Sequence, residues 1–134
     1  MRGVLVLLIA TIIFLFPSFE HKSPEYYFVA GEKLYQAKEY RKAIGYYTRA
    51  IELKPDYIEA YLKRGLSKVE IDSNQSAILD FTKLIELKPN GEIYYLRANS
   101  EWSLKDSVSA CRDWSEACDL SHNRSCDTKR KFCK

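Results

Sequence analysis

Beyond its apolar start the chain repeats itself, and that periodicity limits the fold more than any other feature. The segment around Ala43 recurs around Ala77 and again around Ala110, at separations of 34 and then 33 residues. Tyr27, Tyr61 and Tyr94 share one position of the period, Gly31, Gly65 and Ala98 a second, and the three alanines a third. A bulky position follows with Tyr47, Phe81 and Trp114, then Ala50, Leu84 and Ala117, then Leu53, Leu87 and Leu120. Pro55 and Pro89 close the first two copies, each inside the phrase Ile-Glu-Leu-Lys-Pro. A period of this size marks stacked units, each of which buries its apolar face only against its neighbours.

Together these residues resemble the tetratricopeptide (TPR) pattern over about three quarters of the chain. The units run over about 24–57, 58–90 and 91–122. The resemblance implies an all-α fold, an α/α superhelix of three helix pairs with a concave inner face. Within each pair the small residues let two helices approach closely, the bulky position fills the gap between units, and proline ends the second helix. Local signals agree: Ser23 before Pro24 suits a capped helix start, and Asp56 with Glu59 makes a capping-box-like start for the third helix. Turns within units are expected near Lys38 to Tyr40, Asp72 to Gln75 and Lys105 to Ser107. Unit three lacks the closing proline, and 123–134 is expected to form a capping helix over the last pair, which such arrays require.

Cys111, Cys118, Cys126 and Cys133 lie symmetrically about His122, the arrangement of two antiparallel helices tied twice across a turn. Pairing Cys111 with Cys118 and Cys126 with Cys133 fails on helices, where seven residues span about 10 Å and a disulfide reaches only about 7 Å. A crossed pairing leaves each partner two turns out of register. Cys111 with Cys133 and Cys118 with Cys126 remain, and buried free thiols are the alternative. No Cys-x-x-Cys pair is present, which argues against a structural zinc site and against a thiol-disulfide exchange enzyme, the one catalytic alternative left open. The eight-residue separation of Cys118 and Cys126 is similar to cysteine-rich secreted relatives of TPR repeats. Ala110-Cys111-Arg112-Asp113-Trp114 with a final Cys133 is similar to secreted or surface TPR proteins of bacteria.

The other end points to the same compartment. Met1 and Arg2 precede an uncharged stretch from Gly3 to Phe19 whose core, Val4 to Phe16, is apolar on every face. It reads as a signal peptide or membrane anchor over 1–20, not as a core helix with one apolar stripe. Only Ser18 offers a small residue near a cleavage point, and about 17 to 25 residues are needed to span a bilayer. Arg2 favours a cytoplasmic start with the rest exported. The expected location is the periplasm, the cell surface or the medium, with residues 3–19 as an inner-membrane anchor if they are retained.

With these segments assigned, little is left for catalysis. The two histidines, His21 and His122, fall in a linker and a turn, where each is expected to be solvated. No Gly-rich phosphate loop, His-Glu-x-x-His helix or Gly-x-Ser-x-Gly elbow occurs. Asp56 with Glu59 and Glu116 with Asp119 suit capping and surface pairing. No cofactor, metal or small-molecule substrate is expected. The net charge of +3 is spread along the chain apart from Lys129, Arg130, Lys131 and Lys134, which suit a helix C-terminus better than nucleic acid.

The TPR resemblance implies a non-catalytic interaction module that holds a protein or peptide segment on the first helix of each unit. Its groove positions fall on Glu25, Phe28, Glu32 and Tyr35 in unit one, Glu59, Leu62, Leu66 and Val69 in unit two, and Glu92, Tyr95, Asn99 and Trp102 in unit three. Only Asn99 matches the set of cations and amides that grips an acidic C-terminal tail, so an apolar or basic segment is the expected ligand. The rival expectation is a membrane-tethered structural subunit whose groove is filled by its own packing.

Overall fold

The computed structural model describes residues 22–134. Among them are seven α-helices and no strand. They are α1 (Pro24–Gln36), α2 (Tyr40–Leu53), α3 (Ile58–Glu70), α4 (Asn74–Leu87), α5 (Gly91–Ser103), α6 (Ser107–Asp119) and α7 (Asn123–Phe132). Each packs on its neighbours in sequence, and α1 also touches α3. The all-α expectation holds; the expected leader over 1–20 lies outside the described residues.

Helix starts follow local chemistry. Ser23 Oγ accepts the Tyr26 amide at 3.2 Å, and Pro24 occupies the first turn of α1, where its missing N–H costs nothing. Asn90 Oδ1 accepts the Ile93 amide at 3.1 Å, and an Asp106 carboxylate oxygen accepts that of Ser109 at 3.1 Å. The expected Asp56 cap does not form. The cap position of α3 is Tyr57, with no side-chain bond to the helix, because its ring is buried at the junction with Phe28. Lys54 and Lys88, each ahead of a proline, leave the helix for extended backbone.

The turns inside the pairs are one motif used three times. Lys38, Asp72 and Lys105 adopt left-handed backbone at φ 60°, 57° and 66°. The next amide reaches back to close the helix, as Glu39 N to Leu34 O at 2.9 Å, Ser73 N to Lys68 O at 2.8 Å and Asp106 N to Glu101 O at 3.0 Å. The α6–α7 turn is a fourth copy, with Ser121 at φ 66° and His122 N bonded to Ala117 O at 2.9 Å.

Small and large residues at matched positions set the packing distance. A Cβ on Gly31 would lie 2.7 Å from the Tyr47 ring and one on Gly65 2.7 Å from Phe81, so α1 and α3 sit directly on the rings of their partner helices. Three buried clusters follow along the chain: Ala50, Ile51, Tyr57 and Ala60; Ala77, Phe81, Leu84 and Ile93; and Ala98, Ala110 and Trp114.

A polar device escaped the sequence reading. The guanidinium of Arg64 holds the Asp80 carboxylate with two bonds, at 3.0 and 2.7 Å, and donates to Thr48 of the preceding unit at 3.1 Å. Arg97 does the same with Asp113, at 2.6 and 3.1 Å, and with Thr82 at 3.1 Å. Each Arg thereby ties its own pair together and hooks it to the previous one. Lys129 on α7 donates to Ser115 at 2.7 Å, repeating the hook without an acid. By this register α7 stands where the first helix of a further unit would begin.

Candidate functional site

The groove positions sit at corresponding turns of α1, α3 and α5, and the structure gives each a neighbourhood. On α1, Phe28 is half-buried, its ring 5.8 Å from Tyr47 and 5.2 Å from Tyr57. Glu32 accepts the Tyr47 hydroxyl and the Lys63 ammonium, the latter at 2.8 Å. Burial and this bond push the Tyr47 phenol far above its ordinary value, so it remains a donor. Tyr35 packs edge-on to Tyr40 at 5.3 Å and lies under Lys63. On α3, Leu62, Leu66 and Val69 are partly buried against the Phe81 cluster.

On α5 the corresponding positions meet α7. Tyr95 lies 4.8 Å from the His122 ring and under Arg124. Asn99 Oδ1 accepts the Trp114 indole N–H at 3.2 Å. Trp102, 37 % exposed, contacts Trp114 at 5.4 Å and Phe132 at 5.2 Å. Several side chains read as groove lining are therefore partly engaged in joining one unit to the next. Glu25, Glu59 and Glu92 are exposed, each the second residue of its helix. There they suit the helix dipole, and Glu25 is held below the usual carboxylate range by its own backbone amide and the Ser23 hydroxyl.

The cysteines lie on the last hairpin, Cys111 bonded to Cys133 and Cys118 to Cys126, with Cα separations of 5.7 and 4.8 Å. His122 is not merely solvated: it precedes α7, bonds Ser125 Oγ through Nδ1 at 2.7 Å and stacks on Tyr95. In the basic tail Lys129 is spent on Ser115, and Arg130 pairs with Asp127. His21 lies outside the described residues. The Arg64 and Arg97 clamps had a signal in the sequence, since Arg and Asp recur at 33 residues and Thr48 and Thr82 at 34, alongside the apolar positions.

Comparison with known proteins places this arrangement. A family model described as TPR repeat matches residues 31–71. The Arabidopsis OM64 TPR domain superposes with a TM-score of 0.73 at 27 % identity, covering 81 % of this chain and 92 % of that one. Residues 31–71 match a TPR repeat, and the described helices take the TPR fold. A second TPR structure, the first TPR of Spaghetti (RPAP3) bound to the HSP90 peptide SRMEEVD, superposes at 0.75 with 18 % identity, over 82 % of this chain and 90 % of that one. At that identity the likeness speaks for the TPR fold alone. A curated relative, the UDP-N-acetylglucosamine–peptide N-acetylglucosaminyltransferase of Giardia intestinalis, is 44 % identical over 70 residues, 50 % of this chain and 5 % of the enzyme. The chain spans at most a fifth of the curated relatives it matches, so it resembles their TPR portions only.

Proposed function

We propose that this TPR domain is a non-catalytic interaction module working outside the cytoplasm, which holds an apolar or basic segment of a partner protein across α1, α3 and α5. One observation carries the reading. The exposed carboxylates of Glu25, Glu59 and Glu92 recur at one helical level, beside the half-buried rings and aliphatic chains of Phe28, Leu62 and Tyr95. A periodic row of acid beside apolar surface suits an extended ligand with cations at one edge and apolar side chains facing the helices. It offers an acidic tail no cation set of the clamp kind, since Phe28, Glu32, Leu62 and Leu66 stand where cations or amides would be required and Lys63 is already paired. The two disulfides, with no free cysteine, and the uncharged stretch 3–19 support an oxidising, exported setting.

Selection of a random peptide display library on the full-length chain tests this. Enriched peptides should be basic and apolar, and a variant with Glu25, Glu59 and Glu92 changed to Lys should lose them at least tenfold. Enrichment of acidic C-termini, or indifference to the charge reversal, would sink the reading.

A further inference from the structure

The first unit carries a second surface, shared by α1 and α2, that the peptide-binding reading does not use. Tyr27, Arg41, Lys42, Gly45, Tyr46 and Arg49 line an open cavity of about 290 Å³. Gly45 makes the room: a Cβ there would meet nothing within 4 Å. Three tyrosine rings run across this surface, Tyr26 to Tyr27 at 5.5 Å and Tyr27 to Tyr46 at 6.3 Å. Lys22 closes one side, its ammonium donating to the Tyr26 hydroxyl at 2.9 Å, and Arg49 lies over Tyr27 at 6.0 Å. Tyr26 and Tyr46 are 47 % and 40 % exposed.

We propose that this face rests on the anionic headgroups of the membrane in which the chain is anchored, and so fixes how the solenoid stands on the bilayer. The proposal depends on the anchored reading of residues 3–19. Lys22 follows Phe19 by three residues, so no more than about 11 Å of extended chain separates it from the end of the apolar stretch. That is about one Debye length, within which anionic lipid attracts cations at roughly fivefold in binding per residue. Tyrosine suits the same depth, with an apolar ring and a wet hydroxyl.

The character of the face belongs to unit one alone. Where unit one has Arg41, Lys42, Gly45, Tyr46 and Arg49, unit two has Gln75, Ser76, Leu79, Asp80 and Lys83. Unit three has Val108, Ser109, Arg112, Asp113 and Glu116. With Asp80 and Asp113 set aside, since both are buried against Arg64 and Arg97, three cations without an acid become one cation, then one cation and one acid, with distance from the apolar stretch. Glu39 and Glu52 pair with Lys42 and Arg49, but both pairs are exposed, and headgroups would displace such contacts at little cost.

The test reconstitutes the full-length chain in vesicles of phosphatidylcholine alone and in vesicles with about a third phosphatidylserine, and reads hydroxyl-radical labelling of Tyr26 and Tyr46. Labelling should fall at least threefold in the anionic vesicles only and recover at about 0.5 M salt, where screening shortens to a few ångströms. Protection should vanish in an R41Q/K42Q/R49Q variant, whose changes are all exposed, and in G45D, which puts a carboxylate into the cavity. Equal labelling in both vesicle types, protection that survives the triple variant, or the same protection by inorganic phosphate without lipid would overturn the proposal. A chain that floats free of neutral vesicles yet binds anionic ones through this face would discard the anchor and keep the surface.

Discussion

At the N-terminal end of the solenoid, α1 is held by rings on backbone: Gly31 lies against Tyr47, Phe28 packs between Tyr47 and Tyr57, and Glu32 ties Tyr47 to Lys63. At the C-terminal end, α7 buries one residue, Ser125, and contributes one aromatic ring, Phe132, which packs on Trp102 and Trp114. Its sequence, Asn-Arg-Ser-Cys-Asp-Thr-Lys-Arg-Lys-Phe, has no apolar stripe with which to dock. Sulfur stands in for that stripe. A first helix without a following second helix lacks half of its usual burial, and two covalent ties to α6 supply the attachment that packing supplies elsewhere.

The largest test of that contrast removes the ties. Changing all four cysteines to Ser, or adding a dithiol reductant, should free α7 from α6 and cost about 3 kcal/mol per bond, more for the 22-residue separation than for the 8-residue one. Hydrogen exchange should rise over 123–132 while α1 to α4 keep their protection, and the emission of Trp102 and Trp114 should shift red. Retained protection of α7 without either bond would mean that Phe132 and Lys129 suffice.

A smaller effect is expected from Gly31→Ala. Alanine in a helix normally gains up to about 1 kcal/mol over glycine. Here the new methyl would meet the Tyr47 ring at 2.7 and 2.9 Å, and that ring is fixed by Glu32 and Phe28. Overpacking of this kind costs about 1–3 kcal/mol, so the net should be a loss of about 1 kcal/mol in chemical denaturation. Unit three already carries Ala98 opposite Trp114, so Ala98→Gly should also destabilise, by opening space. A stabilised Gly31→Ala would show that the N-terminal packing is looser than the distances imply.

What could be read from the sequence divides along the same lines. The apolar period displayed the helices, the turns and the bulky positions, because packing between units demands the same side-chain size at the same place each time. The Arg–Asp–Thr clamps are equally periodic, but nothing in the charge pattern marks Asp80 and Asp113 as buried. The Asp56 cap failed because a neighbouring aromatic, Tyr57, took the position. His122 read as a solvated turn because the ring it packs on, Tyr95, comes from an approach of α5 to α7 that no local pattern announces, although its other partner, Ser125, lies only three residues on.

Unit three also contains a charge that unit two has in the opposite sign. Lys68 pairs with Asp80 at 2.8 Å, whereas 33 residues later Glu101 sits buried near Asp113, with one carboxylate oxygen unpartnered and Arg97 no closer than 3.9 Å. Burial first, and then Asp113, push the Glu101 carboxyl up from 4.5 to about 7. The folded state thus keeps a proton that the unfolded chain has lost, so stability declines as pH rises from about 4.5 through 7. Glu101→Gln should flatten that decline and stabilise by about 1–2 kcal/mol at pH 8, with little change at pH 4. Thermal melts across pH check it; a variant as pH-sensitive as the parent would move the titration elsewhere.

The smallest effect concerns the turn that carries α7. Ser121 pays for its left-handed backbone, at φ 66°, with about 1 kcal/mol that glycine would avoid. Lys38, at φ 60°, is the matching residue at the other end. Glycine also loosens the unfolded chain, which cancels about 0.5–1 kcal/mol of the gain. Around Ser121, however, the Cys118–Cys126 bond already confines the unfolded loop, so glycine has less freedom to add there. Ser121→Gly should therefore stabilise the oxidised protein by about 0.5 kcal/mol more than Lys38→Gly does, and the difference should disappear when Cys118 and Cys126 are both Ser. Equal gains in both backgrounds would place the effect of that bond in the folded state, as an attachment of α7, and not in the unfolded chain.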